Sequence, residues 1–506
     1  MVAKTLMIQG TGSSVGKSIL VTALCRIFKQ QGLKVAPFKA QNMSLNSFVT
    51  ADGGEIGRAQ VVQAEAAGIA PTVEMNPVLL KPESDNNAQI IVRGKARTRI
   101  SAAHFPQLKA ELWTAITESI DQLRRAYDLV VIEGAGSPAE VNLKDRDLVN
   151  MKVALYCNSP VLLAADIDRG GVFAALVGTM ELLEAKEKER VKAFIVNKFR
   201  GDVSLLKPGL AWLEARTRVP VAGVVPFYHD IHIAEEDSIA LEKRQAMKYR
   251  HDFDLDIAVI ALPHIANFDD FDPFEREPRV RLRYVEAGDD LGEPDLIILP
   301  GSKSTVADLR YLRSSGREQE IIDAVSTGIP IIAICGGYQM LGTVIHDPDQ
   351  IESMNRLTSG MGLLPVASHF LAVKSTHQVK ARVLAGFGLL AKAKDAAISG
   401  YEIHMGHTDG NSTTRPFLIE QRSQEFCSDQ DGALSADGNV VGTYIHGLFH
   451  NDAFRRAILL ELAERKGKTL APSLAKFSAD EQYDRLAAHV RASLDMDLIQ
   501  RILDQH

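Results

Sequence analysis

The chain has 506 residues, 46% of them hydrophobic and 24% charged, with a formal net charge of −7. It is longer than the ~250–300 residues at which a single core stops growing, so two or more domains of ordinary globular composition are expected. The acidic balance and the lack of a basic run exclude a nucleic-acid binder, and no apolar run approaches the ~20 residues of a membrane helix.

In chain order, KTLMIQ (Lys4–Gln9) reads as a short buried strand, followed by a Gly-rich turn and a helix to about Gln31. KVAPFK (Lys34–Lys39) is the next strand. From Pro106 to Tyr127, Leu108, Leu112, Ile116, Ile120 and Leu123 share one helical face. DLVVIE (Asp128–Glu133), PVLLAAD (Pro160–Asp166), VKAFIVN (Val191–Asn197) and VPVAGVV (Val219–Val225) continue the strands. Continuous apolar strands alternating with helices predict a parallel sheet covered on both faces. The charged, patternless stretch Tyr228–Asp256 reads as a domain boundary. A second α/β series follows: DIAVIAL (Asp256–Leu262), DLIILP (Asp295–Pro300), a helix near Glu318–Thr327 and IPIIAIC (Ile329–Cys335). Strands within Leu371–Leu384 and near Val440–Ile445 are expected to complete that second sheet. From Ala453 onward the chain reads as mostly helical.

The turn Gly10–Ser18 approximates the phosphate-binding pattern G-x-x-x-x-G-K-[ST], except that Thr11 stands where the first glycine belongs, flanked by Gly10 and Gly12. Its strand-to-helix setting suits phosphate, because backbone N–H groups and the helix N-terminus converge there. Lys17 would reach the β/γ-phosphates of ATP, and Ser18 would bind Mg²⁺. VIEGAGS (Val131–Ser137) puts Glu133 at a strand end, a second candidate Mg²⁺ ligand. The longer spacing Gly10-Thr11-Gly12-Ser13-Ser14-Val15-Gly16-Lys17-Ser18 resembles the loop of dethiobiotin synthetase and its relatives. That likeness implies carboxylate activation by phosphorylation. It also implies that Asn197 and Lys198, in IVNKFRGD, lie near the adenine base.

In IIAICGGYQMLG, Cys335 directly follows a β-branched strand and precedes a Gly-Gly turn, with a helix beginning near Tyr338. Such an elbow exposes a nucleophile on a strained bend, and the helix N-terminus favours a thiolate. The N–H of Gly336 is a candidate oxyanion donor, and LPGSKST offers another around Gly301. His446, at a strand end in GTYIHGLF, is the candidate base. Cys335-Gly336-Gly337-Tyr338-Gln339 resembles the C-x-G-x-Q elbow of class I glutamine amidotransferases, which implies that Gly301, Gly336 and Gln339 surround glutamine. One feature departs from that class: its histidine is followed two residues later by glutamate, and here that position is Leu448. Either another group orients His446, with Glu402 and His404 in GYEIHMGHT as candidates, or the pair works alone.

The two motifs together, with FKAQNMSLNS (Phe38–Ser47), DGGEIGRAQ (Asp52–Gln60), MNPVLLKP (Met75–Pro82), DIDRGGVF (Asp166–Phe173) and LPHIANFDDFDPF (Leu262–Phe274), resemble the cobyric acid synthase family over nearly the whole chain. The resemblance implies a dethiobiotin-synthetase-like P-loop domain over 1–228, a linker over 229–251, a class I amidotransferase-like α/β domain over 252–450 and a helical extension over 451–506. It implies ATP- and glutamine-dependent amidation of the b, d, e and g carboxylates of adenosylcobyrinic acid a,c-diamide, through a carboxyl phosphate and ammonia released at Cys335. Phe38–Gln60 and Met75–Pro82 would shape the corrinoid face. Cobalt would belong to the substrate, with no protein-bound transition metal. The a,c-diamide synthase, of the same architecture, is the alternative, and QNMSLNS argues against it. A partitioning-type ATPase would carry a second lysine early in the loop, where this chain has Gly12. Cys25, Cys157, Cys335 and Cys427 form no C-x-x-C pair, which argues against disulfides or a thiolate zinc site and suits a reducing cytoplasm. No signal peptide is expected ahead of the first strand. The oligomeric state stays open.

Overall fold

Continuous apolar runs become the strands of two parallel sheets. The computed structural model describes residues 2–84, 87–101, 105–228, 233, 252–410, 414–470 and 478–506. The expected linker 229–251 lies, apart from Ile233, outside the described residues. In the first sheet six parallel strands run in the order Val221–Pro226, Val191–Phe199, Val161–Asp166, Lys4–Gly10, Leu129–Glu133, Val35–Phe38. Neighbouring residues of one strand serve two cores: Leu6 and Ile8 pack on one face of the sheet and Met7 on the other. That is why these strands are apolar throughout rather than alternating. Lys4–Gly10 lies between Leu129–Glu133 and Val161–Asp166, where the strand order reverses, and ligands bind at the carboxyl ends of such strands.

The second parallel sheet has the order Val280–Val285, Leu255–Ile260, Leu296–Leu299, Ile331–Ile334, Val440–Thr443, with Ala433–Leu434 added antiparallel at its edge. Val440–Thr443 thus joins this sheet, but the strand expected within Leu371–Leu384 does not. It is part of Ala367–Val383, which pairs antiparallel with Ala397–Asp409 and Phe417–Arg422 in a separate seven-stranded sheet. Its residues alternate between core and surface, Val379, Ala381 and Val383 inward and Lys380 outward, as a half-buried antiparallel strand requires.

Two smaller elements close the gap between the halves. Gln41–Met43, Val78–Ser84, Asn87–Val92 and Lys95–Ser101 form a four-stranded sheet, and Ser47–Val49 pairs with Glu55–Gly57 in a hairpin. The hairpin leads into the helix Arg58–Ala67. Phe38–Gln60 and Met75–Pro82 are the segments expected to face a corrinoid; most of their residues are buried, while Met43, Ala51 and Asp52 are exposed. They meet the second half directly. Thr376 Oγ1 donates to Gly53 O at 2.7 Å, Gln378 Nε2 to Val49 O at 3.0 Å, and the Ser47 N–H to Asn267 Oδ1 at 3.0 Å.

The last helices divide their packing. Asp452–Arg465 places Phe454, Ile458 and Leu462 in the core of the second half. Ala479–Ser493 and Met496–Asp504 return to the first half, where Tyr483, Leu486, Val490, Ile499 and Ile502 share a core with Leu20, Val21 and Leu24 of the helix Lys17–Gln30. No helix among the described residues is long and apolar enough to cross a membrane. Leu486→Ala is expected to destabilise the first half by about 2–5 kcal/mol, the usual cost of a core leucine truncation, read as a lower urea midpoint.

Candidate functional site

The strand Lys4–Gly10 ends in the loop that caps the helix Lys17–Gln30. The Thr11 N–H donates to Ala164 O of the neighbouring strand at 2.9 Å, fixing the start of the loop. Gly16 caps the helix at φ 94°, a left-handed conformation, and a Cβ there would fall 2.2 Å from Asn197 Nδ2. Asn197 Nδ2 donates to Val15 O at 2.8 Å, and Lys198 Nζ donates to Ser14 O at 2.5 Å and pairs with Asp166 at 2.8 Å. Both side chains placed by resemblance near the base therefore hold the loop backbone. Lys17 Nζ curls over the loop, donating to Gly12 O at 2.9 Å and Gly136 O at 3.2 Å. Gly10 sits under that ammonium, whereas a Cβ at Gly12 would meet open space.

Glu133 lies beneath the loop, 1% exposed. Ser18 Oγ donates to its Oε1 at 2.8 Å, Lys39 Nζ pairs with the same oxygen at 2.9 Å, and Gln63 Nε2 donates to Oε2 at 2.5 Å. Burial alone would raise this carboxyl, but the Lys39 ammonium and the three hydrogen bonds outweigh it and hold it below its usual range. A hydroxyl and a carboxylate side by side are the donors that Mg²⁺ takes when phosphate oxygens and water complete its shell. Among the described residues no cluster of three or more His, Cys, Asp or Glu side chains could hold a metal on its own.

In the second half, Ile331–Ile334 delivers Cys335 at φ 52° and ψ −110°, directly before the short helix Gly336–Leu341. A positive φ at a non-glycine residue is the strained bend of a nucleophile elbow. Cys335 Sγ lies 3.3 Å from Ile403 O and is hydrogen-bonded to His446. Gly301 packs against the His446 ring, where a Cβ would fall 3.0 Å from Cε1. Gly336 packs with equal closeness on the Ser302 backbone. Gln339 lines the same pocket, its amide held by Thr305, Met405 O and Tyr444.

The residue that orients His446 is Asp270. Its Oδ2 lies 2.7 Å from His446 Nδ1, and its Oδ1 accepts the Gly447 N–H at 2.8 Å. Neither sequence candidate takes this place. Glu402 is engaged by Arg422 at 2.7 and 3.2 Å. His404 stacks on Tyr444 with centroids 3.9 Å apart, and burial pulls its pKa down to about 4. Burial would lower His446 as well, but the Asp270 carboxylate and the bonds to Asp270 and Cys335 push it up to about 10. Arg58, the first residue of its helix in the other half, pairs with Asp269 at 3.0 Å, next to Asp270 in the chain. Asp270 lies within the NFDDFDPF stretch, and a pair of acids just beyond a buried strand was the only signal available to sequence.

Two family models cover the chain: a CobQ/CobB/MinD/ParA nucleotide binding domain over residues 6–241, and a CobB/CobQ-like glutamine amidotransferase domain over 256–454. A cobyric acid synthase of Sorangium cellulosum is 53% identical, with 99% of each chain covered. One from Dehalococcoides mccartyi is 50% identical, again over 99% of both, and one from Desulforamulus reducens is 50% identical over 99% of this chain and 98% of its own. Selective ¹⁵N-histidine NMR should find the His446 ring protonated through neutral pH and titrating near pH 10. In Asp270→Asn, burial loses its larger counterweight, with only Cys335 left to oppose it, and the titration is expected to fall below that.

Proposed function

The chain belongs to the cobyric acid synthase family, glutamine-dependent amidoligases of cobalamin biosynthesis, and on that premise we propose that it converts adenosylcobyrinic acid a,c-diamide to adenosylcobyric acid by amidating the b, d, e and g carboxylates. The observation that carries this reading is the pairing, in one chain, of a phosphate loop with a Cys335–His446–Asp270 relay.

In the second half, the Cys335 thiolate attacks the side-chain amide carbon of glutamine. The Gly336 N–H, with backbone around Gly301, stabilises the oxyanion, while Gln339 shapes the glutamine pocket. His446, protonated and held by Asp270, gives its proton to the departing ammonia. It then takes a proton from the water that hydrolyses the thioester, and glutamate leaves. The bond to Asp270 fixes Nδ1 as a donor and leaves Nε2 to face the sulfur.

In the first half, a substrate carboxylate oxygen attacks the γ-phosphorus of ATP, the bond to the β–γ bridging oxygen breaks and ADP leaves; ammonia then attacks the carboxyl carbon of the carboxyl phosphate, phosphate departs and the nitrogen gives up a proton to form the amide. The loop N–H groups from Gly10 to Gly16 cradle the phosphates, and Lys17 exchanges its carbonyl partners for phosphate oxygens. Asn197 and Lys198 hold the loop beside the nucleotide. Mg²⁺, when bound, would neutralise developing phosphate charge, with Ser18 and Glu133 as its protein ligands. Lys39, 2.9 Å from Glu133 Oε1, compensates the charge of this buried carboxylate. The substrates are small molecules, and we place the reaction in the cytoplasm, where its free cysteines stay reduced.

Mass spectrometry of the a,c-diamide incubated with ATP and glutamine should count four added amides; amidation of only a less amidated precursor would favour the a,c-diamide synthase reading. Cys335→Ser is expected to abolish glutamine use and spare ammonia-supported amidation. Asp270→Asn should lower glutaminase kcat on the order of 10⁴-fold, the scale seen when a relay histidine loses its orienting carboxylate. Lys17→Ala should stop amidation with either nitrogen source, and near-normal turnover would sink the phosphate-loop assignment.

A further inference from the structure

The loop Gly301–Ser304 joins the buried strand Leu296–Leu299 to the helix Thr305–Ser314 and borders the Cys335 pocket. It runs antiparallel to residues 264–266. The Ala266 N–H donates to Gly301 O at 2.9 Å, the Lys303 N–H donates to His264 O at 2.9 Å, and Ser302 stands opposite Ile265 between these two bonds. Residues in that position of an antiparallel pair turn their own N–H and C=O away from each other. Ser302 therefore presents its backbone outward, to Gly336: a Cβ on Gly336 would fall 2.9 Å from Ser302 N and 3.1 Å from Ser302 O. Among the described residues the Ser302 N–H has no hydrogen-bond partner. Gly336 directly follows the nucleophile. A vacant donor beside it suits the oxyanion that forms when Cys335 adds to a carbonyl.

One carboxylate fixes this pair of segments. Asp308, in the first turn of the helix Thr305–Ser314, has no exposed surface. Its Oδ2 accepts the Ser302 hydroxyl at 2.7 Å and the His264 backbone N–H at 3.2 Å, and its Oδ1 lies 2.7 Å from His264 Nδ1. It thus grips both segments at once. Ser302 Oγ in turn accepts the Ser304 N–H at 2.9 Å, which fixes the hydroxyl in both of its roles. Serine, histidine and aspartate are the residue types of a nucleophile relay, but here the hydroxyl proton goes to the carboxylate and not to the imidazole, so Ser302 is not activated for attack. The His264 side chain is 30% exposed. Its bond to Asp308, aided by the Asp308 and Glu352 carboxylates, outweighs burial and holds the imidazole above its usual pKa. The bond is charge-assisted, and such bonds are roughly twice as strong as neutral ones.

We propose that His264 and Asp308 are positioning residues for glutamine hydrolysis, a clamp that holds the Ser302 N–H where the oxyanion forms. The proposal rests on the amidotransferase reading above. Neither side chain lines the Cys335 pocket; both act through the Ser302 backbone. The oxyanion exists only while sulfur adds to the amide carbon, or water to the thioester. Loosening the clamp therefore weakens transition-state binding and leaves glutamine binding alone. The reactivity of the sulfur is also spared, because His446 is oriented by Asp270, on a different segment.

The test uses the full-length enzyme and two reactions of one sulfur. Glutamate release from glutamine passes through an oxyanion. Alkylation of Cys335 by iodoacetamide, followed on its peptide by mass spectrometry, does not: sulfur attacks a saturated carbon and iodide leaves. His264→Leu is expected to lower glutaminase kcat on the order of 10-fold, short of the ~10²–10³ of losing an oxyanion donor outright. The KM for glutamine, the alkylation rate and ammonia-supported amidation should stay near wild type. His264→Asn, whose amide nitrogen can take the place of Nδ1, should recover most of the kcat, and His264→Gln, whose nitrogen sits one atom further out, should not. Asp308→Asn should match His264→Leu; should this buried variant fail to fold, the His264 variants decide alone. Full kcat in His264→Leu would overturn the proposal. A higher KM at unchanged kcat would overturn it as well, by making His264 a glutamine-binding residue. Alkylation falling together with kcat, without rescue by asparagine, would reduce the clamp to general support of the elbow. If the wild type releases no glutamate from glutamine, the amidotransferase reading falls first, and the clamp with it.

Discussion

The ion pair between Arg58 and Asp269 ties the two halves together beside the residue on which the glutaminase relay depends. Asp269 and Asp270 occupy one short turn, Phe268–Phe271. Asp270 spends both oxygens on His446 and the Gly447 N–H, so its position sets the angle of the imidazole. Arg58 belongs to a helix of the first half, and five residues along that helix Gln63 bonds Glu133 under the phosphate loop. One rigid ten-residue element therefore touches both reaction centres. Breaking a buried charge pair by removing one partner is costly, because the survivor is left uncompensated. Arg58 thus anchors the turn that carries Asp270 to a helix of the first half.

Both reaction centres are built by the same local device. A buried strand ends, the chain bends through a conformation that few residues adopt, and a helix starts. At Gly16 the bend needs glycine because Asn197 closes on the loop; at Cys335 a non-glycine residue bears the strain and gains an exposed sulfur. Because strand, bend and helix are contiguous in the chain, Lys17, Ser18 and Cys335 could be read from sequence with their neighbours. Glu133 and His446 were legible for a related reason, since each ends a strand that a period-free apolar run announces. The first parallel sheet was legible throughout, as residues covered on two faces leave no polar alternation to confuse them, whereas in the second the edge strand Val280–Val285 alternates with Arg281 and Arg283 and went unread.

What sequence hid is what distant pairing creates. Asp270 stands 176 residues from His446, and nothing in one dimension distinguishes it from Asp269 or Asp272. Glu402 and His404 do lie on a strand that pairs with Ile445–His446, but adjacency in a sheet fixes which face a side chain takes. Tyr401 stacks on the imidazole while Glu402 turns away to Arg422. The antiparallel sheet was misassigned because its long strand also carries apolar residues, and only its alternation betrays the exposed face. The helix Arg58–Ala67 was missed because it is buried on nearly every side and rich in Ala and Gln, leaving no amphipathic stripe to read.

Phe38–Gln60 and Met75–Pro82, the segments expected to shape a corrinoid face, are mostly buried where the two halves meet. Motifs rich in Asn, Gln, Ser and Lys suggest a polar surface, yet here they form the seam between two halves. Polar side chains suit such a seam because each half supplies the other's partners: Gln378 donates to Val49 O, Thr376 to Gly53 O, and Asn267 accepts the Ser47 N–H, so these backbone groups stay paired where the halves meet.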